Sequence, residues 1–140
     1  MSGDKHNRDM NEMRDIQTLE DIKLLVDTFY GNVRQNELIG PIFNERIGDR
    51  WPEHLDKMYR FWQTILLTEH TYHGSPFPPH IQLPVTAIHF ETWLKIFFET
   101  VDVLFVGEKA EEIKYRGQKM ADMFSYKLDY IHKSSGQPLY

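Results

Sequence analysis

Ser75-Pro76-Phe77-Pro78-Pro79-His80-Ile81-Gln82-Leu83-Pro84 sets four prolines around one histidine, with apolar Phe77, Ile81 and Leu83 beside it. Each proline fixes its own φ and pushes the preceding residue away from helical geometry. A long helix through His80 is excluded, and at most one short turn fits between Pro79 and Pro84. Such a stiff apolar loop can hold an imidazole in one orientation, or simply form a rigid surface corner. The loop alone does not choose between them, and the rest of the chain has to.

On the N-terminal side, Thr18 and Asp21 have the spacing of a capping box, and Leu19, Ile22, Leu25, Val26, Phe29 and Val33 then recur at helical spacing. The pattern predicts a helix over Leu19–Gln35, with Tyr30 at the edge of its buried stripe, where a tyrosine ordinarily buries its ring and wets its hydroxyl. Gly40-Pro41-Ile42-Phe43-Asn44 reads as a turn with Phe43 as a core anchor. A second helix opens near Asp49 to Pro52, since proline suits a first helical position. His54, Met58, Phe61, Trp62, Ile65 and Leu66 share one of its faces, so His54 projects inward at the mouth of an apolar groove. A core histidine bonded to a backbone carbonyl would look the same.

Beyond the proline loop, a third helix is expected from about Thr86 to Phe105, with Phe90, Trp93, Leu94, Phe97, Val101 and Leu104 as its apolar stripe. His89 falls in its first turn, where it suits a capping role. Gly107 breaks the chain, and a fourth helix follows from about Glu108 to His132, carrying Ile113, Met120, Phe124, Leu128 and Ile131 inward. No hairpin signal and no repeat appears, so the class is all-α. The polar stretch 1–17 reads as a mobile arm or short polar helix, 18–133 as the domain and 134–140 as a frayed tail.

The totals narrow the function. A chain of 140 residues is one domain by length, and its 14% aromatic content suits walls around a flat apolar ligand as well as an ordinary core. A net charge of −5 argues against a general nucleic-acid or anionic-membrane binder. No apolar run approaches the ~18 residues of a membrane span, and the polar N-terminus does not read as a signal peptide. With no cysteine there is no disulfide, thiolate metal site or cysteine nucleophile. A soluble cytoplasmic protein is expected. His70 and His73 have H-x2-H spacing, a weak zinc signal without further ligands.

Tyr30, His54, Trp93 and His80 thus each put a polar tip beside apolar residues, on four separate elements. A neutral imidazole on a rigid loop is a usual haem-iron ligand where the other face binds a gas. Phenol, imidazole and indole are donors suited to the negative charge that ferrous haem draws onto dioxygen.

These residues carry a resemblance. Phe29-Tyr30, Gly40-Pro41-Ile42-Phe43-Asn44, His54 with Phe61-Trp62, Pro79-His80-Ile81-Gln82-Leu83-Pro84 and Phe90-Glu91-Thr92-Trp93-Leu94 follow one another in the order and spacing of the truncated haemoglobins of group III. The similarity spans roughly Thr18 to Ile131. It implies a shortened globin fold, a two-over-two helical sandwich around haem b. By the same resemblance His80 is the proximal iron ligand, in preference to His89. Tyr30, His54 and Trp93 are the distal donors, and Phe29, Phe43, Met58, Phe61, Trp62, Phe77 and Ile81 line the cofactor. The paired-glycine motifs of other truncated haemoglobins are missing, as group III implies.

The function expected on that basis is binding of dioxygen, with nitric oxide or peroxide as further ligands. Three distal donors hold a ligand tightly and favour chemistry over bulk transport, such as nitric oxide dioxygenation or peroxidase-like reduction, which needs a reductase or other electron donor. The alternatives are a gas sensor, a haem-free helical interaction module, and the zinc site at His70 and His73.

Overall fold

The computed structural model describes residues 13–69 and 86–136, with side chains as far as 127. The proline-rich stretch with Phe77, His80 and Ile81, and the pair His70 and His73, lie outside the described residues. Five helices make up the described part: α1 Leu19–Gln35, α2 Gly40–Ile47, α3 Trp51–Leu67, α4 Ala87–Leu104 and α5 Glu108–Gly136. None is long and apolar enough to cross a membrane.

The N-terminus of α1 is closed by the expected box. The Asp21 N–H donates to Thr18 Oγ1 at 3.2 Å, and the Thr18 N–H donates back to Asp21 Oδ2 at 3.0 Å. Asp21 also accepts from the Gln17 N–H at 2.9 Å and from both guanidinium nitrogens of Arg14, at 2.9 and 2.6 Å. Burial alone would raise the Asp21 pKa. The Arg14 and backbone hydrogen bonds outweigh it and hold the carboxyl below its usual range. The helix then buries Ile22, Leu25, Val26, Phe29, Tyr30 and Val33.

Gly40-Pro41-Ile42-Phe43-Asn44, expected as a turn, is instead the start of α2. Proline in a first helical turn costs no ladder hydrogen bond, because that N–H would have no intrahelical acceptor. Here Gly-Pro opens a helix. The end of α5 also differs: it continues to Gly136, through residues that read as tail. At α4 the Thr86 N–H donates to His89 Nδ1 at 3.0 Å, so His89 caps its own helix as expected.

Packing pairs α1 with α3 and α4 with α5, and α1 also rests on α4. This is the two-over-two sandwich. Its centre is Phe97, 2% exposed. The Phe97 ring lies near-parallel to Trp93 (centroids 5.3 Å, 11°) and Trp62 (5.8 Å, 19°), and Phe29 meets it edge-on at 5.2 Å. Gly117 of α5 lets that ring in, since a Cβ there would sit 2.7 Å from Phe97 Cε2.

Residues 14–17, grouped with the polar arm by their charge, dock on the sandwich. Ile16 is 1% exposed, and Val106 N–H donates to the Arg14 carbonyl at 3.1 Å. Asp15 accepts from the N–H groups of Lys109 and Ala110, both at 2.8 Å. It caps the start of α5 from a distant part of the chain, a task that Gly107 cannot perform. Gly107 has φ +138°, and any Cβ there would lie 2.5 Å from Asp15 Cγ.

Two stability outcomes follow. Asp15→Ala removes the cap of α5 and should cost about 1–2 kcal/mol in urea unfolding; an unchanged midpoint would show that α5 does not depend on it. Gly117→Ala would gain ~1 kcal/mol of helix propensity in an open site. Against the rigid Phe97 ring, overpacking of about 1–3 kcal/mol should prevail and lower the melting temperature.

Candidate functional site

Tyr30 is carried inward by the last turns of α1, and its whole side chain is enclosed, at 5% exposed. The wetted hydroxyl ordinarily expected of a tyrosine at a stripe edge does not occur. Four rings surround it edge-on: Phe29 at 4.9 Å, His54 at 5.1 Å, Trp51 at 5.6 Å and Phe43 at 6.4 Å. Desolvation pushes the phenol pKa well above its usual range. Tyr30 is therefore a protonated hydrogen-bond donor at any physiological pH.

His54 sits one turn into α3, because its N–H bonds to the Arg50 carbonyl at 3.0 Å and aligns the first turn. Its imidazole meets Tyr30 at 84° and Trp51 at 88°. Phe43 reaches the site from the unforeseen helix α2. Phe61 and Trp62 are both buried and lie edge-on to each other at 5.1 Å, and Met58 is partly buried against the core.

Trp93 stands differently from the other two expected donors. It is partly buried, stacked on Phe97, and edge-on to Phe29 at 5.4 Å. Phe29 is thus shared: one flank touches Tyr30, another Trp93. The structure brings Tyr30 and His54 together directly and joins Trp93 to them through Phe29.

Trp51 is the residue that the sequence reading missed. It occupies the first position of α3, is 5% exposed, and packs against both Tyr30 and His54. Its signal was present. Trp51, His54, Met58 and Trp62 fall at i, i+3, i+7 and i+11, one helical stripe whose first member lies beside the opening proline. The Arg34 guanidinium covers the Trp51 ring at 4.5 Å, and Arg34 Nε donates to Asn44 Oδ1 at 3.0 Å.

Chemically, the cluster offers donors in an aromatic enclosure, which suits a small ligand carrying partial negative charge. Among the described residues no three metal-ligating side chains gather. The apolar rings of Phe29, Phe43, Phe61 and Trp93 with the polar tips of Tyr30 and His54 instead fit a flat apolar group with a polar ligand on it.

The bacterial-like globin family model matches residues 15–126. The group 3 truncated haemoglobin of Campylobacter jejuni is 38% identical over 113 residues, covering 78% of this chain and 89% of that protein. A crystal structure of group III truncated haemoglobin from Campylobacter jejuni superposes with a TM-score of 0.77 at 36% identity, covering 83% of this chain and 94% of the other. The chain is therefore a bacterial-like globin and belongs to the group III truncated haemoglobins.

The buried phenol has a spectroscopic consequence. In an ultraviolet pH titration of the folded protein, Tyr30 should stay un-ionised until the strongly alkaline end. Tyr59, pushed up to about 12 by desolvation and its bond to Asp27, shares that late step; Tyr30→Phe should remove one phenol from its amplitude, and an unchanged amplitude would place the burial elsewhere.

Proposed function

We propose that the chain binds haem b and takes dioxygen and related diatomic ligands in a polar distal pocket, for oxygen or nitric oxide chemistry in place of bulk transport. The observation that carries this reading is the buried Tyr30 phenol held edge-on to His54 at 5.1 Å within aromatic walls. The relative from Campylobacter jejuni is named a haemoglobin, which supports the same cofactor here.

Phe29, Phe43, Met58, Phe61 and Trp62 would hold the macrocycle from the described side, with Phe77 and Ile81 from the proline-rich stretch and His80 as the iron ligand. When bound, haem would supply an iron able to hold a diatomic gas, with electron density drawn onto that ligand. Tyr30 donates a hydrogen bond to that density, and its raised pKa keeps the donor intact. Trp93 supplies a second N–H. His54, half-buried at the start of α3, exchanges protons between the enclosure and water. Several donors on one small ligand slow its release, which favours turnover on the protein over unloading. The reaction then needs electrons from a reductase or another donor, in a cytoplasmic setting.

Addition of hemin to the purified protein should give a Soret band, and its absence would overturn the proposal. The band should be lost in His80→Ala and retained in His89→Ala, and the opposite result reassigns the ligand. Tyr30→Phe should speed oxygen dissociation about ten- to hundredfold, the worth of a hydrogen bond to a charged acceptor. An unchanged rate removes Tyr30 from the site.

A further inference from the structure

The indole N–H of Trp51 is buried and has no hydrogen-bond partner among the described residues. Such a donor is costly to leave unmade: phenylalanine would fill much of the same wall without the desolvation penalty. The polar group that covers the ring cannot satisfy it. Arg34 is a donor only, and it lies over the π face at 4.5 Å, where its charge is attracted by the ring. The rings touching Trp51 are those of Tyr30, at 62°, and His54, at 88°. Neither ring is bonded to the indole N–H, so an acceptor that enters the same enclosure would satisfy it.

Arg34 contributes more than cover. Its Nε is held by Asn44 Oδ1 at 3.0 Å, while Asn44 Nδ2 donates to the Arg34 carbonyl at 3.3 Å, a two-point tie between α1 and α2. The guanidinium is fixed over the indole in this way, and a cation on the π face draws electron density from the ring and strengthens its N–H as a donor. Trp51 at the first position of α3 and His54 one turn later then present donors from the same stripe.

We propose that Trp51 is a further ligand-positioning residue, an indole donor to small oxygen-bearing ligands in the Tyr30–His54 enclosure, with Arg34 acting through it. The inference rests on the globin reading above and adds a donor to it. The ligand class is a small acceptor bearing partial negative charge, because the enclosure meets it with O–H and N–H groups.

The test uses the hemin-loaded protein in its ferrous carbon monoxide complex. The infrared C–O stretch falls as donors polarise the ligand, so it reads the pocket without any turnover. Trp51→Phe should raise that frequency and speed oxygen dissociation about three- to tenfold, the size of one neutral hydrogen bond. If Trp51→Phe fails to fold, replacing Trp51 by its benzothiophene analogue removes the N–H at constant shape, and the same two shifts are expected. Arg34→Met should move the stretch in the same direction by less, and should have no effect once the Trp51 N–H is gone. An unmoved stretch and dissociation rate in a variant that keeps its Soret band overturns the role of Trp51 and leaves the globin reading standing. A wild-type protein with no Soret band would sink both.

Discussion

The Phe97 ring is the contact on which the sandwich depends. It is the place where α1, α3, α4 and α5 meet: Phe29 arrives edge-on, Trp62 and Trp93 lie near-parallel to it, and the bare Cα of Gly117 closes the remaining side. Aromatic pairs in these geometries add to the burial of their area, and a rigid ring has few ways to relax. One small residue and one large one thus set the spacing of the two helix pairs. The same contact bears on Tyr30, because Phe29 touches both Phe97 and Tyr30. A shift at Gly117 reaches the phenol through only two rings.

The ends of the sandwich are held by a different physics. Residues 14–17 form a strap held by two carboxylates with separate jobs, its own Asp15 and Asp21 of α1. Asp21 gathers the guanidinium of Arg14 and the backbone donors at the start of α1, while Asp15 caps α5 from across the fold. Both carboxylates meet helix N-termini, where negative charge is favourable. By contrast, pairs such as Arg60 with Asp56 are exposed on both sides and add little. Stability at this end therefore lies in hydrogen-bonded carboxylates aimed at backbone donors.

Much of this was legible in the chain. Thr18 with Asp21 and the stripe to Val33 mark α1 to its ends, because a local capping box and a 3.6-residue period need no tertiary context. His89 was rightly read as a cap for the same reason. The reading failed where one residue pattern serves two structures. Gly40-Pro41 breaks a helix behind it and starts one ahead of it, and only packing of Phe43 and Ile47 decides which. The strap failed too: Asp15 looks like surface charge until Gly107, far along the chain, is placed beside it. Trp51 was lost because helix-start chemistry at Pro52 drew attention from the stripe it begins. The family resemblance supplied the pocket roles, which residue spacing alone left open.

The order of polarity around Tyr30 carries the final step. A lone buried phenol costs free energy unless something accepts its proton donor. Here the enclosure adds more donors, His54 at 5.1 Å and Trp51 at 5.6 Å, with a guanidinium behind the indole. Enclosing several polar tips costs the fold free energy unless they are bonded, and burial of the surrounding rings of Phe29 and Phe43 offsets part of that cost. What such a site gains is discrimination. On the proposed reading, a ligand that carries partial negative charge on a terminal oxygen would meet several of these polar tips at once, whereas a nonpolar diatomic of the same size would not. On that reading selectivity arises from the arrangement before any ligand arrives, which is electrostatic preorganisation in a small fold.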